Sequence, residues 1–192
     1  MPTRDAIVIP TRQVAADLAA LDGAVYTAVA TTPTPRLDKP LRVLSIAANR
    51  SQLWFGIALL LAVTGGRRGR RAALLGVASI AVTSPLVNLG MKLAGGRPRP
   101  DRGMAGVGGN RRVRMPGSLS FPSGHAASGY AFAASVEHSI PALGPPIRAL
   151  AGTVAYSRVH TGVHYPGDAV VGAMAGSLIG RAVAGGLSRL GV

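Results

Sequence analysis

The sequence predicts an all-α fold, a multi-pass membrane helical bundle of about five core helices preceded by an N-terminal amphipathic helix. Three observations carry this reading. Apolar residues make up 48% of the 192 positions but aromatics only 4%, and glycine occurs 26 times, so the apolar runs are built from small and aliphatic side chains. Small side chains let helices approach closely in lipid. The apolar runs show no strand-like alternation, and the cations cluster between them, 21 Lys and Arg against 7 Asp and Glu.

A formal charge of +14 asks for a polyanionic partner. Nucleic acid, an anionic membrane surface and phosphorylated substrates all satisfy that demand. The scarcity of aromatics argues against a base-stacking platform, so nucleic acid is not expected as a partner. With no cysteine there is neither a disulfide framework nor a thiolate metal site.

Taken in order, residues 1–12 carry Pro2, Pro10, Asp5 and two arginines without a sustained apolar run, and are not expected to be a signal peptide. Residues 13–30 have helical periodicity, with Val14, Leu18, Leu21 and Val25 on one side. Asp17 and Asp22 make this helix a poor span, which predicts an amphipathic helix at the interface or against the bundle. Residues 31–40 hold three prolines and read as a loop. Residues 41–50 read as a polar-sided helix or connector. Residues 53–64 are the most hydrophobic run, yet short against the about 20 residues a crossing needs. The basic run at residues 67–71 reads as a tight turn, and residues 72–91 as a second stretch of spanning length kinked at Pro85.

Residues 92–117 form a Gly/Arg/Pro-rich loop holding seven cations. A third apolar helix opens at Ser123 and closes before Pro141, a fourth covers about 147–156, and a fifth, rich in Gly and Ala, about 168–187. The three motif stretches described next are expected on one membrane face and residues 67–71 on the other.

Hydrolysis of a phosphate ester needs fixed positive charge on the non-bridging oxygens, a nucleophile for phosphorus and a proton for the leaving oxygen. Three stretches offer these. Pro122-Ser123-Gly124-His125 leads into an apolar helix; Ser123 is a natural N-cap, Gly124 permits close backbone approach, and the free amides of a helix start attract anions. His125 then stands beside that anion. Lys92 closes an apolar helix and Arg99-Pro100 follows, a point charge and a planar fork for phosphate oxygens. In the third stretch, Arg158 adds a cation, and Pro166 at the first position of a helix puts Asp168 in reach of His164. A carboxylate on one ring nitrogen fixes the tautomer and frees the other nitrogen for attack. His160, His164 and Asp168 are also spaced for zinc, but Gly162, Pro166 and Gly167 interrupt the helix that would align them, so no metal is expected.

In order, these stretches read KxxxxxxRP, PSGH and SRxxxxxHxxxD across residues 92–168. The pattern resembles the type 2 phosphatidic acid phosphatase superfamily, which also includes bacterial acid phosphatases and vanadium-dependent haloperoxidases. The apolar helices around it fit the membrane-bound branch. The resemblance implies that Lys92, Arg99 and Arg158 clamp the phosphate with Ser123 and the amide of Gly124. It implies that His164 attacks to form a phosphohistidine, that Asp168 orients its ring, and that His125 is the general acid. No cofactor is implied. His160 falls at a variable position and is assigned no catalytic role.

The expected protein is therefore a metal-independent lipid phosphate phosphatase of the cell membrane, with an interfacial segment over residues 1–50 and a phosphatase domain over residues 51–192. Its expected partners are a lipid phosphate substrate, of phosphatidic acid or polyprenyl phosphate type, and membrane lipids. Two alternatives stand beside it. One is an acid phosphatase of soluble substrates or a haloperoxidase-like enzyme; the other is a non-enzymatic basic membrane-binding protein.

Overall fold

The computed structural model describes residues 11–191, so the readings made of residues 1–10 lie outside the described residues. The order is α1 (Thr11–Thr31), α2 (Pro35–Ala47), α3 (Gln52–Thr64), α4 (Gly66–Pro85), α5 (Lys92–Gly95), α6 (Gly124–Ser139), α7 (Gly144–His160) and α8 (Pro166–Arg189). No strand occurs among the described residues.

Helix α6 runs through the centre. Ten of its residues between Ala126 and Val136, all but Tyr130, are buried, as expected of a helix apolar on every side. It packs against α8, α4 and α7. The contact with α8 follows from three glycines spaced by four. A Cβ on Gly172, Gly176 or Gly180 would run into the backbone of Ser123, Ala127 or Ala131. Only hydrogen in those places lets the two backbones touch. Ser135 ties the same seam, donating to the Gly180 carbonyl at 3.1 Å and bonding Ser79 of α4. On the opposite side of α6, Phe132 stacks against Trp54 of α3 with ring centroids 5.7 Å apart.

Three helical stretches, Arg12–Thr31, Gly66–Met91 and Pro166–Arg189, are long and apolar enough to cross a membrane, the first despite Asp17 and Asp22, which make it a poor span in the sequence reading, and α2 with α3 makes a fourth bent by 64°. Their outward faces carry Leu59, Leu60, Val63, Leu74, Val170, Met174 and Leu178, all more than half exposed. That much bare aliphatic surface requires lipid around it. The chain is an integral membrane protein.

The helix starts differ from the sequence reading in three places. Residues 31–40 are not simply a loop: α2 begins at Pro35, because proline at the first helical position loses no bond and comes with its φ already helical. Residues 67–71 are not a turn either. Gly65 and Gly66, the latter at φ +58°, make the reversal, and the arginines form the first turns of α4. Helix α7 runs from Gly144 to His160, longer at both ends than the 147–156 expected.

Pro85 ends the regular ladder of α4, since it has no N–H to donate to the carbonyl four residues back. The chain continues in wider π-helical turns over Leu86–Met91 and delivers Lys92 beyond them. The 26 residues of Gly66–Met91 rise about 39 Å at 1.5 Å each, so the arginine run and Lys92 lie at opposite ends of one long helix.

Candidate active site

The site is built where α6 and α8 begin. After α7, Gly162 at φ +71° turns the chain, and the amides of Val163 and His164 both donate to the Arg158 carbonyl, at 3.0 and 3.3 Å. Pro166 opens α8, and the third helical residue, Asp168, accepts the Tyr165 amide at 2.9 Å as a cap. The Ser123 amide donates to the Asp168 carbonyl at 2.9 Å, so the starts of α6 and α8 are fixed to each other.

Asp168 is fully buried and His164 is 2% exposed. The His164 Nδ1 lies 3.3 Å from Asp168 Oδ2 and 3.3 Å from the Ser120 hydroxyl, which itself donates to Oδ2. Both neighbours accept, so Nδ1 carries the proton and Nε2 holds a lone pair. Nε2 faces Arg99 Nη1 at 3.3 Å. Burial, reinforced by the Arg99 and Arg158 cations and opposed by the Asp168 hydrogen bond, pushes the His164 pKa down to about 4. The ring is neutral at neutral pH.

Arg99 is held in a fork by the carbonyls of Ser118, Leu119 and Val163, at 2.8, 3.2 and 2.7 Å. The Ser118 hydroxyl also accepts Lys92 Nζ at 3.1 Å. Burial and the neighbouring Arg99 and Arg158 lower the Lys92 pKa to about 8. Arg158 is 1% exposed; its Nη1 donates to the Ser45 hydroxyl at 2.6 Å, while its Nε has no acceptor. On the far wall His125 Nε2 lies 3.0 Å from the Asn49 side-chain oxygen.

These groups surround a cavity of about 210 Å³. Of the eight residues singled out in the sequence, Lys92, Arg99, Gly124, His125 and His164 line it. The other three stand behind the wall: Asp168 under His164, Arg158 against Ser45, and Ser123 with its hydroxyl accepting the Ala126 amide at 3.4 Å. A Cβ at Gly124 would come within 2.7 Å of the Asn88 side-chain oxygen, so a larger residue there would have to displace that amide. His160 lies outside the cavity, 3.1 Å from Asp38, which also pairs with Arg111.

Several residues of this arrangement went unassigned in the sequence. Arg97 bridges Asp168 at 3.1 Å and Asp22 of α1 at 2.5 Å, and lies 3.8 Å over the Tyr165 ring. Ser118 and Ser120 sit under the cations and the carboxylate; two hydroxyls immediately before PSGH were the available signal. Ser45, Asn49 and Asp22 come from before residue 51, so the site draws on both segments expected from the sequence.

The PAP2 superfamily profile matches residues 72–189. The chain is 37% identical over 131 residues to decaprenylphosphoryl-5-phosphoribose phosphatase of Mycobacterium tuberculosis, covering 68% of this chain and 69% of that one. Its fold is similar to that of a transmembrane PAP2-type phosphatidylglycerolphosphate phosphatase from Bacillus subtilis, with a TM-score of 0.64, 20% identity and coverage of 90% and 87%. Aquifex aeolicus LpxE gives a TM-score of 0.63 at 21% identity, covering 85% of this chain and 94% of that one.

Proposed function

As the chain belongs to the PAP2 superfamily, we propose that it hydrolyses the phosphomonoester of a membrane lipid through a phosphohistidine on His164, without a metal. The observation that carries this is the His164 ring itself: Nδ1 toward Asp168 and Ser120, Nε2 toward Arg99 and the cavity.

The phosphate takes its place among Lys92, Arg99 and the first amides of α6, with Arg158 adding positive charge from behind the wall. His164 Nε2 attacks phosphorus as the bond to the ester oxygen breaks in line. The imidazole becomes cationic at that moment, and Asp168 stabilises it. His125 gives the leaving oxygen its proton. Water then takes the position of the leaving alcohol, loses a proton to His125 and attacks phosphorus; the P–N bond breaks and phosphate leaves. Ser123 supports this reading as the cap that fixes the helix start.

The name of the M. tuberculosis relative supports a polyprenyl-linked substrate, and the apolar outer surface supports residence in the cell membrane. The test is phosphate release from polyprenylphosphoryl-5-phosphoribose, phosphatidic acid and polyprenyl phosphate by detergent-purified protein in EDTA. Release by wild type and none by His164→Ala is expected. Release that disappears in EDTA, or that survives His164→Ala, overturns the mechanism.

A further inference from the structure

A second cleft opens from the phosphate cavity on the side away from His164. It measures about 690 Å³, and it shares Arg50, Pro116 and His125 with the cavity while adding Asn49, Gln52 and Arg114. His125 therefore stands between the two spaces. In an in-line displacement the leaving group points away from the nucleophile. In the proposed mechanism the leaving oxygen meets His125, so whatever carries that oxygen extends into this cleft.

Ile46, Met115 and Gly117 also line the cleft, but its charged groups are both cationic, Arg50 and Arg114, which suits an anion. An alkyl chain starting at the ester oxygen would gain contact with Ile46 and Met115 only by stripping water from two guanidinium groups and two amides without replacing it. No hydrogen bond or ion pair joins the Arg50 or Arg114 guanidinium to another described residue, so both are available to an anion. Arg50 is also placed by an unusual backbone. Arg50 and Ser51, neither of them glycine, both adopt left-handed conformations at φ 51° and 60° where α2 bends into α3. Side-chain-bearing residues largely avoid that region, and those that adopt it cluster at active sites and ligand clamps. Here it sets Arg50 at the junction of the two spaces.

We propose that Arg50 and Arg114 form a second anion subsite that binds an internal phosphodiester of the substrate, with Asn49 and Gln52 meeting the hydroxyls between the two phosphates. The substrate class is then a lipid with a terminal phosphomonoester on a sugar or short polyol, joined to its hydrocarbon by a phosphodiester. This rests on the assignment of His125 to the leaving oxygen.

The test uses a matched pair of lipids with identical acyl chains: dioleoyl phosphatidylglycerol phosphate, which has the internal phosphodiester, and dioleoyl phosphatidic acid, which lacks it. Wild type prefers the first. Arg50→Gln and Arg114→Gln each lower that preference, measured as the ratio of kcat/KM values, by about fivefold, mainly through KM, and together by more than either alone but less than the roughly 25-fold product, since both hold one phosphodiester. Arg50→Lys and Arg114→Lys restore part of it, and rising salt erodes it in wild type. Equal losses on both lipids, or an unchanged ratio in the double variant, overturn the subsite and leave the phosphatase reading standing. No release from either lipid by wild type removes the phosphatase reading and the subsite with it.

Discussion

His160 and His164 are four residues apart, yet they meet different carboxylates. His164 faces Asp168 at the cavity, whereas His160 is held by Asp38 beside Arg111, away from it. In the proposed mechanism the first is the reactive group and the second a structural one. His164→Ala is therefore expected to abolish turnover. His160→Ala is expected to keep most turnover but to lose about 1–2 kcal/mol of stability, the cost of leaving a buried partner unbonded. Phosphate release and thermal melting in detergent check both; equal losses of activity would overturn the distinction. The ionisations give a second expectation at this scale. His164 has its pKa lowered to about 4, so it is protonated and unreactive only as pH falls through about 4. Lys92, lowered to about 8, is charged below that value and loses its hold on phosphate as pH rises through it. The kcat/KM profile should thus fall at low pH with His164. As pH rises it should fall first with the His125 proton, whose pKa burial and the neighbouring cations hold well below its ordinary value, and then in an alkaline limb near 8 with Lys92. In Lys92→Arg that limb should move upward, because a guanidinium stays protonated. An alkaline limb that stays near 8 in the variant assigns it to another group.

Between elements, Arg97 is the residue that makes α1 part of the site. It joins Asp22 on α1 to Asp168 on α8, and Asp22 in turn accepts the Gly167 amide at 2.7 Å. Removing Arg97 loosens both the helix and the carboxylate that orients His164. In Arg97→Gln, kcat is expected to fall about tenfold with KM nearly unchanged, and Arg97→Lys to recover part of the loss. A cycle with Asp22→Asn should be non-additive by about 1 kcal/mol, since both act through one network; additive effects would mean that α1 is coupled to the site another way. This bridge also shows what the sequence could reveal. The Ser123 cap and the His164–Asp168 contact were legible because each lies within four residues of chain, where helix geometry alone decides the distance. The partners of Asp168, Arg158 and His125 were not: Arg97, Ser45 and Asn49 are each at least 71 residues away along the chain. Proline misled for a related reason. The same residue that breaks a helix starts one, and only the following turns, packed against α7, distinguish Pro35 as a first position from Pro33 as a loop.

At the scale of the molecule, the α6–α8 seam and the length of α4 determine how the parts work together. The ends of α6 and α8 that bear on the cavity keep their spacing because Gly172, Gly176 and Gly180 bring the two backbones into contact below them. Gly176→Val would force the helices apart, with an expected loss of ~1–3 kcal/mol and a fall in activity with no change at any residue of the cavity. A variant as stable and as active as wild type would mean that the seam can open without disturbing the site. The long helix makes a prediction about sidedness. A rise of about 39 Å exceeds the about 30 Å of hydrocarbon, so the arginine run and the cavity must face different compartments if α4 crosses once. The chain has no cysteine, so single cysteines report without background. Arg68→Cys lies exposed in the first turn of α4, and Met104→Cys replaces a loop residue 91% exposed on the side of the cavity. In sealed vesicles of one orientation an impermeant maleimide should label one of the two, and in inverted vesicles the other. Labelling of both from the same side would show that α4 turns back within the membrane, and would put the cationic run and the cavity on one face.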